Sequence, residues 1–342
     1  MSSPSHISSI SPSWALPGAR VTISGAGFHP GGDAGPLPRV TVGPHEARVV
    51  IARSTELIVI VPLEAEGGRM PVRLEDVAGA AILLEVGSAI ATGLHLVDSP
   101  VFDRDGNLYV TFSGTRGQQA PVSIFKVTRD GARQPFASGI LNPTSLAFDE
   151  QGRLHVSSRF EGAVYRVAPD GEIETVATDL GVACGLAFDS AGTLFVGDRS
   201  GSVFKVAPDG SATLFATLPA SVAAFHLAFG PDDRLYVTVP TLAPRDSLYR
   251  VDQNGQVDVL FSGFGRPQGL AFDASGSLYV VDALAGGSGL YRLRPRPDGG
   301  YGEPERVVGA PSLIGVAVDP SGGLVVASAE TVYRLEVPVR GS

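Results

Sequence analysis

One group of side chains in this sequence has the type and placement to bind a charged ligand. Five arginines fall in connections between apolar segments: Arg116, Arg159, Arg199, Arg245 and Arg266. A guanidinium group presents a fixed fork of donors that suits carboxylates and phosphates. The alternative is that these arginines pair with nearby aspartates and form a solvated rim; those aspartates are Asp198, Asp246 and Asp282. The choice depends on the elements that position them.

Two further side chains could take part in catalysis. His226 could act as a general base, although a buried imidazole bonded to a neighbouring carbonyl is the alternative. Cys184 lies among Ala, Leu and Phe, which favours a small buried hydrophobic residue over a nucleophile. His95 precedes Asp98 in a connecting segment and is expected to be exposed. The sequence contains no GxSxG, Walker or HExxH motif.

Composition excludes several classes of protein. Hydrophobic residues make up 44% of the 342 residues and charged residues 18%, so the chain can build a core and is not disordered. The net charge of −9 argues against binding to nucleic acid phosphates. A single cysteine allows neither an internal disulfide nor a thiolate zinc site. With no apolar stretch of about 18 residues and no visible signal peptide, we expect no membrane insertion and a cytoplasmic location.

A repeated motif predicts the architecture of most of the chain. An apolar strand, an Asp-x-x-Gly turn and a second apolar strand recur six times. The copies are SPVFDRDGNLYV (99–110), TSLAFDEQGRLHV (144–156), CGLAFDSAGTLFV (184–196), FHLAFGPDDRLYV (225–237), QGLAFDASGSLYV (268–280) and IGVAVDPSGGLVV (314–326). The steps between them are 46, 40, 41, 43 and 46 residues. A period of about 40–45 residues with four short strands per unit is typical of a β-propeller.

A second turn predicts how the ring closes. Five repeats carry Asp-Gly or Asn-Gly after their third strand, at 130–131, 170–171, 209–210, 254–255 and 298–299. These pairs supply the positive φ of a tight hairpin. The sixth repeat lacks this turn, because the chain ends soon after TVYRLEV (331–337). Residues near 86–92, which parallel the fourth strand of the first repeat, are therefore expected to complete the last blade of a six-bladed ring.

The segment before the repeats differs in kind. Strand-like runs separated by Pro and Gly predict an immunoglobulin-like β-sandwich over residues 1–85, with the propeller over 86–342. The opening Ser-Ile-Ser-Pro, Pro17-Gly18, the run VTISGAGF and a late LIVIVP resemble the IPT/TIG fold. That resemblance implies a binding or spacer module. Gly25-Ala26-Gly27 is interpreted as a bend after a strand, because no helix follows for a phosphate to sit on.

The repeats themselves resemble the NHL and gluconolactonase-like (senescence marker protein) propellers in their apolar-A-F-D-x-x-G-x-L-Y-V motif. Gluconolactonase-like enzymes hold a divalent metal at the top of the central channel through side chains at the start of different inner strands. In this chain the equivalent positions lie five residues before each motif Asp, or before the Gly that replaces it, and are Asp98, Thr144, Cys184, Phe225, Gln268 and Ile314. Asp98 and Gln268 could be metal ligands, for calcium, magnesium, manganese or zinc. The rest could not supply the several oxygens that a hard cation needs, so no cofactor is expected.

Two functions remain. The first is a non-catalytic scaffold that binds a small molecule or a protein on the upper face of the propeller, with an anionic ligand favoured. The upper face is the end of the propeller that carries the connections between repeats and the connections between the second and third strands of each repeat. Its candidate residues are Arg116, Arg159, Arg199, Asp198, Arg266, Asp282, Thr144, Cys184 and Phe225. Asp198 and Asp282 are expected to bond loop N–H groups. The alternative is a metal-dependent lactone hydrolase with Asp98 as ligand and His226 or a metal-bound water as base.

Overall fold

The structure is a computed structural model that describes residues 6–29, 31, 36–75, 81–283 and 286–335. All regular elements in these ranges are β-strands, in agreement with the predicted fold class. The described part of the chain has no helix that is long and apolar enough to cross a membrane.

Eight strands form the N-terminal domain. They are β1 (His6–Ser11), β2 (Trp14–Ala15), β3 (Arg20–Ala26), β4 (Val40–Val42), β5 (His45–Arg53), β6 (Glu56–Ile60), β7 (Gly68–Leu74) and β8 (Ile82–Val86). Hydrogen bonds join them in the order β1-β3-β6-β5-β4-β7-β8-β2. Alternate residues of the strands point inward: Ile23, Leu57, Val59, Val72 and Leu84 are all inaccessible to solvent. This alternation is that of a sandwich with one core between its layers.

The remaining strands form the propeller. After β9 (Ser88–Ala91), the first three repeats contain β10 (Val101–Phe102), β11 (Leu108–Thr111), β12 (Ile124–Val127), β13 (Arg133–Ala137), β14 (Pro143–Phe148), β15 (Leu154–Ser158), β16 (Ala163–Val167), β17 (Ile173–Ala177), β18 (Ala183–Phe188), β19 (Leu194–Asp198), β20 (Ser202–Val206) and β21 (Ala212–Thr217). The last three contain β22 (His226–Phe229), β23 (Leu235–Thr238), β24 (Asp246–Val251), β25 (Val257–Phe264), β26 (Pro267–Phe272), β27 (Leu278–Asp282), β28 (Gly289–Leu293), β29 (Glu305–Gly309), β30 (Gly315–Val318), β31 (Leu324–Ala327) and β32 (Val332–Leu335).

The number of separate blades differs from the expectation. Among the described residues, five four-stranded sheets stand alone, rather than six. The four strands of the fifth repeat, β26 to β29, instead belong to a 12-stranded sheet that continues into the N-terminal domain. The physical reason is β2, whose Trp14 pairs in parallel with Val308 of β29 on one side and Glu85 of β8 on the other. The sandwich thereby covers an edge that an isolated propeller blade would expose.

The last sheet takes its fourth strand from the segment before the first repeat. β9 pairs antiparallel with β32, with Ala91 opposite Val332 and Ser88 opposite Arg334. Two backbone hydrogen bonds continue the contact. The Leu94 N–H donates to the Glu330 carbonyl, and the Leu96 N–H donates to the Ala329 carbonyl. The inner strands contact one another in ring order, and β10 contacts β30. Residues 336 and 337 of the expected strand 331–337 lie outside the described residues.

Both turns of the repeat have the chemistry that their residues predict. In the second hairpin, the glycines at 131, 171, 210, 255 and 299 all have φ between 79° and 89°. At the first turn, the repeated Asp accepts the N–H group four residues later, as Asp273 does from Ser277 at 2.9 Å. A short carboxylate side chain can satisfy backbone donors in a turn in this way.

Candidate functional site

The inner strands of neighbouring blades come very close at their upper ends. A Cβ atom placed on Gly185 would lie 2.2 Å from the Phe225 carbonyl oxygen, and one on Gly269 would lie 2.7 Å from the Gly315 Cα. A hydroxyl group joins two inner strands: Ser145 Oγ on β14 accepts the Leu186 N–H of β18 at 3.2 Å. Glycine at these positions is therefore a steric requirement of a narrow channel.

His226 lies in this narrow ring and contacts Asp98 and Gln268. Its Nδ1 is 2.5 Å from Asp98 Oδ1, and its Nε2 is 3.2 Å from Gln268 Oε1. The three side chains are 1%, 4% and 7% exposed. His226 begins the fourth repeat and Asp98 precedes the first, so the pair joins repeats that are not neighbours in the ring. The expectation that a neighbouring carbonyl satisfies His226 is therefore wrong, because the narrow channel brings a carboxylate within reach.

The electrostatics of the channel favour a protonated imidazole. Burial opposes charge on His226, but the Asp98 carboxylate and the hydrogen bonds to Asp98 and Gln268 outweigh it and raise the pKa of His226. Burial is also the main cause that raises the pKa of the Cys184 thiol, to about 12. A thiol with such a pKa is protonated at neutral pH and is a poor nucleophile. Burial of Cys184, which is 2% exposed, agrees with its interpretation as a small buried hydrophobic residue.

Three of the predicted arginines lie together on the upper face. Arg159 is partly buried and donates from Nη2 to Ser113 Oγ at 3.2 Å. Burial lowers the pKa of Arg159, and the positive charges of Arg199 and Arg116 lower it further. The charges of Arg159 and Arg199 also act on Cys184, which places them beside the upper ends of the inner strands. Like charges in one place raise the local positive potential.

The nearby aspartates do not neutralise these arginines. Asp198 accepts the Val182 N–H group at 2.7 Å, and Asp282 accepts those of Gly265 and Arg266 at 2.9 and 2.7 Å. Asp246 accepts the Thr241 hydroxyl at 2.6 Å. Among the described residues, no carboxylate lies within 4.0 Å of the five arginines: Arg116, Arg159, Arg199, Arg245 and Arg266. The aspartates therefore hold the loops, and the rim of salt bridges is not formed there.

The other predicted residues have structural positions. Thr144 is buried and donates to the Asn142 carbonyl at 3.1 Å, and Phe225 is inaccessible in the core between the third and fourth blades. Arg245 and Arg266 are exposed on their loops. They belong to later blades than the three clustered arginines. Part of the long connection 283–288 lies outside the described residues.

One residue of this face was missed by the sequence analysis. Asn142 is 1% exposed, and its side chain accepts the Gly117 N–H at 2.7 Å and donates to the Gly114 carbonyl at 2.8 Å. It therefore clamps the loop that carries Arg116. Its φ of 46° is unusual for a residue other than glycine. The signal in the sequence was an Asn-Pro pair just before a repeat.

The donor set at the channel does not match a hard-cation site. The described residues contain no group of three or more His, Cys, Asp or Glu side chains that could hold a metal ion. At the six channel positions only Asp98 carries charge, and its carboxylate already bonds His226 and the Ser99 N–H group. Calcium binds six to eight oxygens and magnesium six, and a carboxylate already bonded to a histidine and a backbone N–H group has little capacity left for either ion.

Below this ring the channel widens into a cavity of about 380 Å³. Asp98 and His226 line it where the inner strands begin, and Phe102, Phe188 and Phe229 line it where they end. The upper arginines are not among its lining residues. The narrow ring therefore lies between the arginine cluster and this more apolar chamber.

Comparison with known families identifies the N-terminal domain. A family model described as the IPT/TIG domain matches residues 4–82. Residues 4–82 form a TIG domain. This confirms the resemblance that the sequence showed, and the match spans β1 to β7 and the first residue of β8.

Comparisons that reach beyond the TIG domain are more distant. Lactonase drp35 of Staphylococcus aureus is 26% identical over an alignment of 207 residues, which covers 53% of this chain and 61% of that protein. The chain thus spans about three-fifths of the length of this curated relative. An auxiliary nutrient binding protein of Bacteroides ovatus is 14% identical, with a TM-score of 0.55 and coverage of 97% of this chain and 98% of the other.

A putative gluconolactonase has a TM-score of 0.58 at 19% identity, over 73% of this chain and 91% of its own. At such identities these structures show the fold alone. They support a β-propeller fold that is similar to the fold of gluconolactonase-like structures.

Proposed function

We propose that the upper face of the propeller binds a small anionic solute through Arg159 and Arg199, with Arg116 beside them. The TIG domain would act as a module that spaces or docks the propeller. The whole-chain likeness to a nutrient binding protein supports small-molecule binding as the class of function. The arginines support the choice of an anion.

The observation that carries the proposal is the state of Arg159. Its guanidinium group is partly buried, lies near two further positive charges and has a hydroxyl rather than a carboxylate as its side-chain partner. A cation in such a place loses hydration without gaining an ion pair. A carboxylate ligand would supply the missing charge and accept the fork of N–H donors.

The proposal predicts a strong effect of a single arginine on affinity. With gluconate as the anionic probe and glucose as its neutral counterpart, we expect gluconate to bind and glucose to bind far more weakly. Because a hydrogen bond to a charged group contributes about 1.5–3 kcal/mol, Arg159→Ala is expected to weaken gluconate binding by about tenfold or more. Isothermal titration calorimetry measures both.

Arg250→Ala provides the matched control, since Arg250 lies on β24 away from the upper loops. It is expected to leave the affinity for gluconate unchanged. Equal affinities for gluconate and glucose, or an unchanged affinity in Arg159→Ala, would contradict the proposal.

The second candidate is hydrolysis of lactones, which the Staphylococcus aureus lactonase favours. The channel residues would have to bind a divalent cation with Asp98 as the one carboxylate. Because a single carboxylate cannot fix such an ion and leave a position open for water, we expect no metal-dependent hydrolysis.

The measurement is the initial rate of gluconolactone hydrolysis with calcium, manganese or zinc, and again with a chelator. A rate that depends on the metal and is lost in Asp98→Asn would replace the binding proposal with the hydrolase. A rate equal to the uncatalysed background in all conditions supports binding.

A further inference from the structure

A second polar cleft lies where the TIG domain meets the fifth repeat, far from the upper face. It has a volume of about 410 Å³. The TIG side contributes residues 10–14, and the propeller side contributes parts of β27, β28 and β29 and the turn after β26. Trp14 lies on one wall and Tyr279 on the other. The cleft therefore exists only when both domains are present.

Two arginine nitrogens at this cleft lack partners. Among the described residues, the buried side-chain nitrogen and oxygen atoms without any hydrogen bond are Nε of Arg292 and Nε of Arg306. Both residues line the cleft. Buried polar atoms in proteins are nearly always bonded, and an exception calls for an explanation such as an absent ion. The coincidence of both atoms in one cleft points to a ligand that accepts hydrogen bonds.

Arg306 has no carboxylate partner among the described residues. Its Nη2 donates to the backbone carbonyls of Arg20 at 3.3 Å and Ser288 at 2.6 Å. Burial lowers the pKa of Arg306, and the nearby Tyr291 hydroxyl offsets this only in part. Arg306 thus brings a positive charge between the domains with only neutral acceptors around it.

The acidic residues of the cleft are already engaged. Glu305 accepts from Arg292 at 2.9 Å and from Arg294 at 3.5 Å. Asp273 is held by its own turn, in which it accepts the Ser275 and Ser277 N–H groups. Three arginines against two committed carboxylates leave the cleft with excess positive charge and unused donors.

We propose that this cleft binds a small oxyanion, a phosphate or a carboxylate, between the TIG domain and the propeller. The anion would accept from Nε of Arg292 and Nε of Arg306, and from the hydroxyl groups of Ser11 and Ser13, which line the same cleft. Because its donors come from both domains, the anion would strengthen their association. This site is independent of the upper face.

Inorganic phosphate is the probe for this site, with sulfate and succinate as further oxyanions and sodium chloride at equal ionic strength as the control. On the full chain, phosphate is expected to raise the melting temperature and to bind in calorimetry. Arg306→Lys keeps the charge but removes Nε, and Arg292→Gln removes the other donor. Each is expected to weaken phosphate binding at least tenfold.

Arg334→Gln is the matched control, because Arg334 pairs with Val325 in β32 as Arg292 pairs with Tyr279 in β28, but outside the cleft. It should bind phosphate like the native chain. Binding that is lost in Arg159→Ala and kept in both cleft variants would assign the anion to the upper face and overturn the inference. The absence of binding by phosphate, sulfate and succinate would overturn it too. Circular dichroism of each variant separates lost binding from lost folding.

Discussion

Removal of residues 1–95 is expected to abolish cooperative folding of the propeller, whereas removal of residues 1–80 is expected to leave it folded. Both truncations remove β1 to β7, and they differ in residues 81–95, which carry β8 and β9. β9 supplies the outer strand of the last sheet. Without it, β32 presents an unpaired edge and the ring has no closure.

The size of the effect follows from the side chains that leave with the segment. Leu94 is 4% exposed and Ala91 is 7% exposed, and both pack in the core between the last and first blades. Burial of a leucine contributes about 1.5–3 kcal/mol, and the unpaired edge of β32 adds to this loss. A typical domain has a net stability of about 5–15 kcal/mol.

Urea denaturation monitored by far-UV circular dichroism is the appropriate measurement. Tryptophan fluorescence is unsuitable, because both truncations remove Trp14, the single tryptophan of the sequence. The 1–80 deletion is expected to be less stable than the full chain, since it exposes the edge of β29 that β2 covers. Its transition should nevertheless stay cooperative. Equal stability of the two truncations would show that β9 does not close the ring.

Asp98→Ala is expected to destabilise the protein by about 3–5 kcal/mol, the usual cost of removing one partner from a buried ion pair. The imidazole of His226 would then lie in the channel without the carboxylate that bonds its Nδ1 at 2.5 Å. The double variant Asp98→Ala, His226→Ala should be less destabilised than the sum of the single variants. Exact additivity would mean that the two side chains do not interact.

The same pair predicts a pH dependence of stability. Despite burial, Asp98 and the hydrogen bonds raise the pKa of His226 in the folded state above its value of about 6.5 in unfolded chains. The folded state therefore binds the proton more tightly, and this contribution is complete below about pH 6.5. It declines as the pH rises through the pKa of the folded state.

Denaturant titrations at several pH values measure this contribution. The native chain should lose more stability than His226→Gln between pH 6 and the raised pKa. Parallel curves for the two proteins would contradict a raised pKa. The nearby Cys184 thiol stays protonated over this range, because burial raises its pKa to about 12.

Much of the fold could be predicted because its determinants are local. The repeated Asp accepts N–H groups within four residues, and the glycines of the second hairpin adopt positive φ whatever lies around them. Such turns set the strand length and the period of the repeat. The TIG domain was recognisable for the same reason, from turn residues between short apolar strands.

The number of separate blades could not be predicted in this way. The repeat period predicts units, but it carries no information about a strand from another domain that adds to one of them. β2 is two residues long, and its pairing with β29 brings together residues almost 300 positions apart. Nothing in the local pattern of Trp14–Ala15 indicates that partner.

The sequence by itself determined an all-β chain with a TIG domain and a repeated propeller, and it selected Asp98, His226, Gln268 and Arg159 as residues of interest. Only the tertiary structure decided what they do. His226 and Asp98 are 128 residues apart, and their contact exists because glycines let the inner strands converge. Likewise, Asp198 and Asp282 bond N–H groups of the connections that lead into their own blades, and no carboxylate among the described residues pairs with the five loop arginines. Local hydrogen bonds follow from neighbouring residues, whereas contacts across the channel follow from how the ring closes.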